Sequence, residues 1–195
     1  SAAKIAALLA WQRMALGDRI GGMVFTDESC HELRPQAGKR GVLPLLHALA
    51  SDTAVKLKQT STMTLSVALK RLRHIVKQRG LIFVISDFYD LEQGDVYRHL
   101  SQLRLHHACA LIRVTDPIEQ AIPGVKRYPV SDGSQAHYQL DLTTRHAQRH
   151  YEDFFETRSQ DIIQMSRRLM IPMISISTAD DLLKPIRNLL AQAEG

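Results

Sequence analysis

Residues 80–90 read Gly-Leu-Ile-Phe-Val-Ile-Ser-Asp-Phe-Tyr-Asp, and this stretch decides the fold that we predict. Its five consecutive apolar residues, 81–85, leave no polar face, and a glycine and a Ser-Asp pair bound them. Such a run is typical of a strand that is buried on both sides, and strands of that kind occur almost only in parallel sheets covered by helices. The stretch therefore predicts a central parallel strand with Asp87 at its carboxyl end, where open α/β sheets place their ligand crevice.

Apolar patterning outside this stretch predicts an alternation of strands and helices. The predicted strands are residues 20–25, 29–33, 108–114, 125–130, 136–142 and 171–176. The predicted helices are residues 3–16, 42–50, 65–78, 93–104, 145–169 and 179–193, with a loop at residues 34–38. This order favours a mostly parallel sheet with helices on both faces. Thr26-Asp27-Glu28 is predicted to be a hairpin turn between the strands at residues 20–25 and 29–33. Asp132-Gly133 is a strong turn signal and adds a second hairpin near residues 125–142.

Length and composition are those of one globular domain. The chain has 195 residues, of which 45% are hydrophobic and 23% charged, so we predict a single domain over residues 1–195. No apolar run approaches the roughly 18 residues that a membrane span needs. We therefore expect a cytoplasmic protein, or one whose membrane anchor lies outside this chain. Cys30 and Cys109 lack the spacing of a metal pair, and we predict two free thiols.

Two short segments carry the oxygen atoms that a metal ion would use. Asp87, with Ser86 and Asp90 nearby, could hold Mg²⁺, although a carboxylate after a strand more often caps the next turn. Hydroxyl side chains cluster just before the helix predicted at residues 65–78, and Thr62 and Thr64 belong to this cluster. One of these hydroxyls is expected to cap the helix. A helix amino terminus with further hydroxyls can also meet a metal-bound carboxylate.

The histidines and the basic helix face have simpler explanations than a metal or nucleic acid. His146 and His150 have i, i+4 spacing, but the glutamate of a zinc-protease helix is missing, so we interpret them as surface residues. Lys70, Arg73 and Lys77 lie on the polar face of the helix at residues 65–78. Because no aromatic residues are interleaved with them, we interpret this face as solvated and predict no nucleic-acid partner.

Several stretches resemble, in order and spacing, the bacterial domain-of-unknown-function family fifty-eight, which carries a von Willebrand factor A-like domain. The resemblance covers essentially the whole chain. It implies a von Willebrand factor A-like, Rossmann-like α/β fold in which a mostly parallel sheet is flanked by helices. The stretches that carry it are Gly17-Asp18-Arg19-Ile20-Gly21, Arg34-Pro35-x-x-Gly38, Leu65-x-x-Ala68-Leu69, Ile85-Ser86-Asp87-Phe88 and Asp116-Pro117-x-Glu119.

The resemblance also implies a metal-ion-dependent adhesion site at the carboxyl ends of the strands. Asp87 matches its aspartate, whereas its threonine position falls on Met63, which Thr62 and Thr64 flank. The Asp-x-Ser-x-Ser loop and the first strand of such a domain are missing from the chain. We therefore expect an N-terminally truncated domain that binds Mg²⁺ weakly or not at all, with a gap between the strands at residues 20–25 and 81–85. A rearrangement or a partner chain, such as a second copy in a homodimer, would close this gap.

The function that the resemblance implies is non-enzymatic protein binding. Members of this family are thought to act as adaptors with MoxR-type AAA+ ATPases on client proteins, here an unknown client. The alternative is a metal-assisted phosphohydrolase or nuclease that uses Asp87 and Asp90. Its further carboxylates would be Asp116 and Glu119, which is few for two-metal hydrolysis.

Overall fold

The computed structural model describes residues 2–26, 29–52, 63–91, 95–117, 127–131, 137–178 and 183–193. Helices and strands alternate along these residues, as predicted. The helices are α1 (Ala2–Ala15), α2 (Lys39–Asp52), α3 (Leu65–Ile75), α4 (Val96–Arg104), α5 (Arg145–Leu169) and α6 (Leu183–Ala193). The strands are β1 (Arg19–Phe25), β2 (Cys30–Ala37), β3 (Leu81–Ser86), β4 (Ala108–Thr115), β5 (Arg127–Ser131), β6 (His137–Asp141) and β7 (Met173–Ser177).

A three-stranded parallel sheet in the order β3-β4-β7 forms the centre of the fold. The middle strand is β4, and six of its eight residues are buried. In β3 only Val84 is buried. The prediction of a central strand buried on both sides at residues 81–85 is therefore wrong. Since β4 is the sole described strand that pairs with β3, the side chains of β3 stay partly exposed.

β1 and β2 form the antiparallel pair that the predicted hairpin implies. This pair is separate from the parallel sheet, which corrects the prediction of one mostly parallel sheet. The predicted loop at residues 34–38 is also wrong, because β2 continues to Ala37. Its last residues are held by pairs with the start of β1, Arg19 with Ala37 and Ile20 with Gln36. In the described part of the chain β1 does not pair with β3. A direct pairing of these two strands therefore does not close the predicted gap.

Helices cover both faces of the parallel sheet. On one face, Val84 and Leu111 pack with Leu69, Leu100 and Ile162 from α3, α4 and α5. On the other face, Ile112 and Ile176 pack with residues of α1 and α6 such as Ile5 and Leu189. None of the described helices is both long and apolar enough to cross a bilayer.

The hairpin predicted near residues 125–142 is present as the antiparallel pair β5–β6. Its backbone register pairs Arg127 with Asp141 and Ser131 with His137. The Asp132-Gly133 turn lies outside the described residues. The hairpin forms a third, separate sheet, which gives a mixed α/β fold around one parallel sheet.

Candidate functional site

The turn that follows β3 has an unusual backbone. Phe88 has a φ of 56°, which is the left-handed region that bulky side chains rarely adopt. Its ring is fully buried in the core on the α3, α4 and α5 face of the sheet. The Phe88 amide donates to Ser86 Oγ at 2.9 Å. Burial of the ring and this hydrogen bond hold the turn in place, so the residues on either side of Phe88 point away from the core.

Asp87, the principal predicted site residue, is exposed at this turn. Its Oδ1 accepts a hydrogen bond from the Tyr89 amide at 2.9 Å and a longer one from Ser86 Oγ at 3.4 Å. Its other carboxylate oxygen accepts no hydrogen bond from the described residues. Asp87 therefore caps its own turn, which is one of the two roles that the sequence predicts for it. Its second carboxylate oxygen remains for a ligand.

Asp90 joins the amino terminus of α3 to this turn. Asp90 Oδ2 accepts a hydrogen bond from the Leu65 amide at 2.6 Å. Thr64 is the residue before the helix, and its Oγ1 accepts from the Val67 amide at 3.3 Å. The prediction that a hydroxyl caps this helix is thus confirmed for Thr64. Thr62 lies outside the described residues.

An aromatic and cationic surface lies beside Asp87, and no pattern in the sequence predicted it. The guanidinium carbon of Arg158 lies 4.1 Å from the centroid of the Tyr89 ring and 5.9 Å from that of Phe154. Arg158 also donates to the Phe88 carbonyl at 3.0 Å. Tyr89 is 67% exposed and Phe154 48%. Helix α5 therefore fixes the turn from outside, and we call Asp87, Tyr89, Phe154 and Arg158 the turn surface.

Arg113 is a second polar residue of this region that was not predicted from the sequence. It lies on β4 opposite Ser86 of β3 and is 6% exposed. Its Nη1 donates to Ser159 Oγ on α5 at 2.8 Å. A single charged residue inside the apolar run of residues 108–114 was the available signal. Its contact with Ser159 ties the middle strand to the helix that carries Arg158.

The described residues do not assemble a complete Mg²⁺ site. Mg²⁺ prefers near-octahedral oxygen coordination with one or two carboxylates. Asp87 offers one oxygen that accepts no described hydrogen bond, whereas Asp90 and Thr64 already accept backbone amides of α3. No group of three or more His, Cys, Asp or Glu side chains suited to a metal ion occurs within the described ranges. Asp116 is exposed, and Glu119 lies outside the described residues.

The remaining titratable groups are consistent with structural roles. Both cysteines are free, as predicted, and burial raises the pKa of the Cys109 thiol to about 11, which keeps it protonated. His146 and His150 are exposed on α5, as predicted. His99 is buried, and Arg73 Nη1 lies 3.1 Å from its Nδ1. Because a guanidinium only donates hydrogen bonds, His99 Nδ1 accepts and the ring is neutral. Burial lowers the pKa of His99 most, and the neighbouring Arg73 charge lowers it further.

Comparison with known proteins places the chain in a family. The crystal structure of the conserved hypothetical protein BatB from Bacteroides thetaiotaomicron is similar in fold, with a TM-score of 0.57 and 12% sequence identity. The match covers 99% of this chain and 86% of that chain. No curated protein matches. The family model described as "Protein of unknown function DUF58" matches residues 1–161, well over half of the 195 residues. The chain therefore belongs to the DUF58 family.

Proposed function

We propose that this chain is a non-enzymatic protein-binding module, an adaptor that works with a MoxR-type AAA+ ATPase on a client protein. In this proposal the fold is von Willebrand factor A-like, and the turn surface at the carboxyl end of β3 is where the partner docks. Asp87 is what the chain retains of a metal-ion-dependent adhesion site that is otherwise incomplete. The parallel sheet with helices on both faces supports the proposed fold.

The observation that carries the proposal is the exposure of Tyr89. The Tyr89 ring is 67% exposed, although the preceding residue, Phe88, is completely buried. Tyrosine and arginine are enriched among the residues that dominate the energetics of protein interfaces. A tyrosine stacked on Arg158 is already ordered, so its binding would cost little side-chain entropy.

The charges of the turn surface fit a protein ligand with both an acceptor and a donor. The Asp87 carboxylate would accept a hydrogen bond from a partner's amide or cation. The rings of Tyr89 and Phe154 lie beside Arg158 and would give a partner's apolar side chain an aromatic surface to cover. Aromatic residues and arginine are enriched at the core of protein interfaces, whereas aspartate is depleted there. Tyr89, Phe154 and Arg158 therefore fit the centre of an interface, and Asp87 fits its polar rim.

A pull-down of a MoxR-type ATPase tests the role of Asp87 in this proposal. We expect the wild-type chain to retain the ATPase both in Mg²⁺ and in EDTA, because the described residues do not complete a metal site. Asp87→Ala should weaken retention, since it removes the free oxygen and the acceptor of the Tyr89 amide. Loss of ATPase retention in EDTA would contradict the proposal that the metal site is incomplete. Unaltered retention of the ATPase by Asp87→Ala would show that Asp87 is not part of the interface.

The enzymatic alternative makes a different prediction for the same variant. A metal-assisted phosphohydrolase or nuclease would hydrolyse a phosphoester in the presence of Mg²⁺ and would lose this activity in Asp87→Ala. Its other carboxylate, Asp90, accepts the Leu65 amide at 2.6 Å. We therefore keep the adaptor function, and phosphoester hydrolysis that depends on Asp87 would contradict it.

A further inference from the structure

A cavity of about 380 Å³ lies between the carboxyl-terminal ends of α3 and α4. Three cationic side chains line it, Arg73, Lys77 and Arg79, together with His106 and His107. Its lining segments lead into the amino ends of β3 and β4, whereas Asp87 follows the carboxyl end of β3. Because β3 and β4 are parallel, the cavity lies near the amino ends of these strands and the turn surface near their carboxyl ends.

The described residues do not neutralise the positive charge in this cavity. No acidic side chain is among the described residues that line it, and no described residue forms an ion pair with Arg73, Lys77 or Arg79. Arg73 makes its hydrogen bond to the neutral ring of His99. The carboxyl ends of two helices contribute about one negative charge in total. A surplus of positive charge therefore remains for a ligand.

Two buried polar atoms beside the cavity are also unsatisfied. Gln102 Oε1 and His107 Nδ1 are both shielded from solvent and have no hydrogen-bond partner among the described residues. Leaving such an atom unpaired costs about 1–3 kcal/mol. Because Gln102 Oε1 only accepts hydrogen bonds, a hydroxyl or amino group of a ligand would satisfy it, whereas His107 Nδ1 could donate to a phosphate oxygen in the tautomer that carries its proton there. Cations that only complement the helix dipoles would need neither a cavity nor these unpaired atoms.

We propose that this cavity binds an organic phosphate, a small molecule with one or more phosphate groups attached to a largely apolar or aromatic body. Arginine side chains match phosphate oxygens with two parallel hydrogen bonds, and Arg73 and Arg79 both line the cavity, Arg73 with its Nη1 already on His99. Val76, Leu103 and Leu105 supply an apolar part of the wall. The volume lies within the range of roughly 300–1,000 Å³ that is usual for small-molecule sites.

Titration calorimetry with ADP as the probe tests this proposal, with pyrophosphate and adenosine as partial ligands. We expect ADP to bind with one-to-one stoichiometry, pyrophosphate to bind more weakly, and adenosine to show no binding. Replacing two exposed lining cations, Lys77→Gln with Arg79→Gln, should raise the Kd for ADP at least tenfold. The matched control is Lys70→Gln with Arg71→Gln, which removes two exposed cations of α3 that do not line the cavity; its Kd should stay within threefold of the wild type.

Three results would overturn the proposal. One is the absence of ADP and pyrophosphate binding by the wild-type chain. Another is an equal loss of affinity in the two double variants, which would mean that overall charge and not the cavity attracts the ligand. The third is a preference for single-stranded oligonucleotides that grows with their length, which would assign these cations to a nucleic-acid surface. None of these results bears on the turn surface, so the adaptor function is tested separately.

Discussion

Phe88 decides how the candidate site is presented. Its ring is buried completely, yet its backbone has a left-handed conformation that costs an ordinary residue about 1–2 kcal/mol. The hydrogen bonds from its amide to Ser86 Oγ and from Arg158 to its carbonyl compensate in part. Burial of one residue therefore fixes its two neighbours, Asp87 and Tyr89, at the surface.

Two substitutions at Phe88 separate its packing from its backbone conformation. Phe88→Ala should lower the free energy of unfolding by about 3–5 kcal/mol, because it leaves a cavity in the core. Phe88→Gly loses the same ring, but glycine tolerates the positive φ, so its loss should be smaller by about 1 kcal/mol. Urea unfolding followed by circular dichroism measures both. The reverse order, with glycine less stable than alanine, would show that the backbone at this position is not left-handed.

Single residues differed in how far the sequence predicted them. Asp87 was found because it ends an apolar run, and Thr64 because it precedes a helix. Arg158 was missed because its partners in the turn, Phe88 and Tyr89, lie about 70 positions away in the chain, where no local pattern connects them. Asp90 was placed near the site, but its hydrogen bond to Leu65 also depends on tertiary packing.

At the scale of elements, the β1–β2 hairpin depends on a close approach of two backbones. A Cβ added to Gly21 would lie 2.7 Å from both the Leu33 carbonyl oxygen and the Pro35 nitrogen. This agrees with the sequence, in which the glycine pair of β1 indicates a close neighbour. The register shift between Ile20 and Gly22 occurs at this same place.

Gly21→Ala should therefore destabilise the protein. The methyl group meets backbone atoms that cannot move aside, and overpacking of this kind costs about 1–3 kcal/mol. Gly80→Ala is the matched control, since its added Cβ would meet nothing closer than 4.0 Å. We expect the control to change the free energy of unfolding by less than about 0.5 kcal/mol. Thermal unfolding compares the two, and equal effects would argue against the close approach at Gly21.

Burial of the strands could be predicted less well than their positions. The apolar runs at residues 81–85 and 108–114 are similarly hydrophobic, and each predicts a buried strand. Which of them has two neighbours depends on topology, and the described strands place β4 in the middle and β3 beside it. The extension of β2 to Ala37 likewise depends on its pairing with β1, because Arg34-Pro35 alone resembles a loop.

At the scale of the whole molecule, the two ends of the parallel strands carry different surfaces. The carboxyl end of β3 presents the turn surface, with an exposed tyrosine and a carboxylate, and the amino ends of β3 and β4 lie near the cationic cavity. The alternating pattern of helices and strands predicted the class of fold. The pairing of β1 with β2 is local, but the sequence could not predict that this pair stays separate from the parallel sheet, because pairing between distant strands leaves no signal in a single sequence.

The dissociation constant of the complex with a MoxR-type ATPase tests the central claim, that the turn surface binds a partner protein. Tyr89→Ala should raise this constant at least tenfold, because it removes the most exposed aromatic ring of the surface. Leu16→Ala is the control, since Leu16 is similarly exposed, at 66%, but lies between α1 and β1 and belongs to neither the turn surface nor the cavity. We expect its constant to stay within twofold of the wild type. Equal constants for wild type and Tyr89→Ala would contradict the claim.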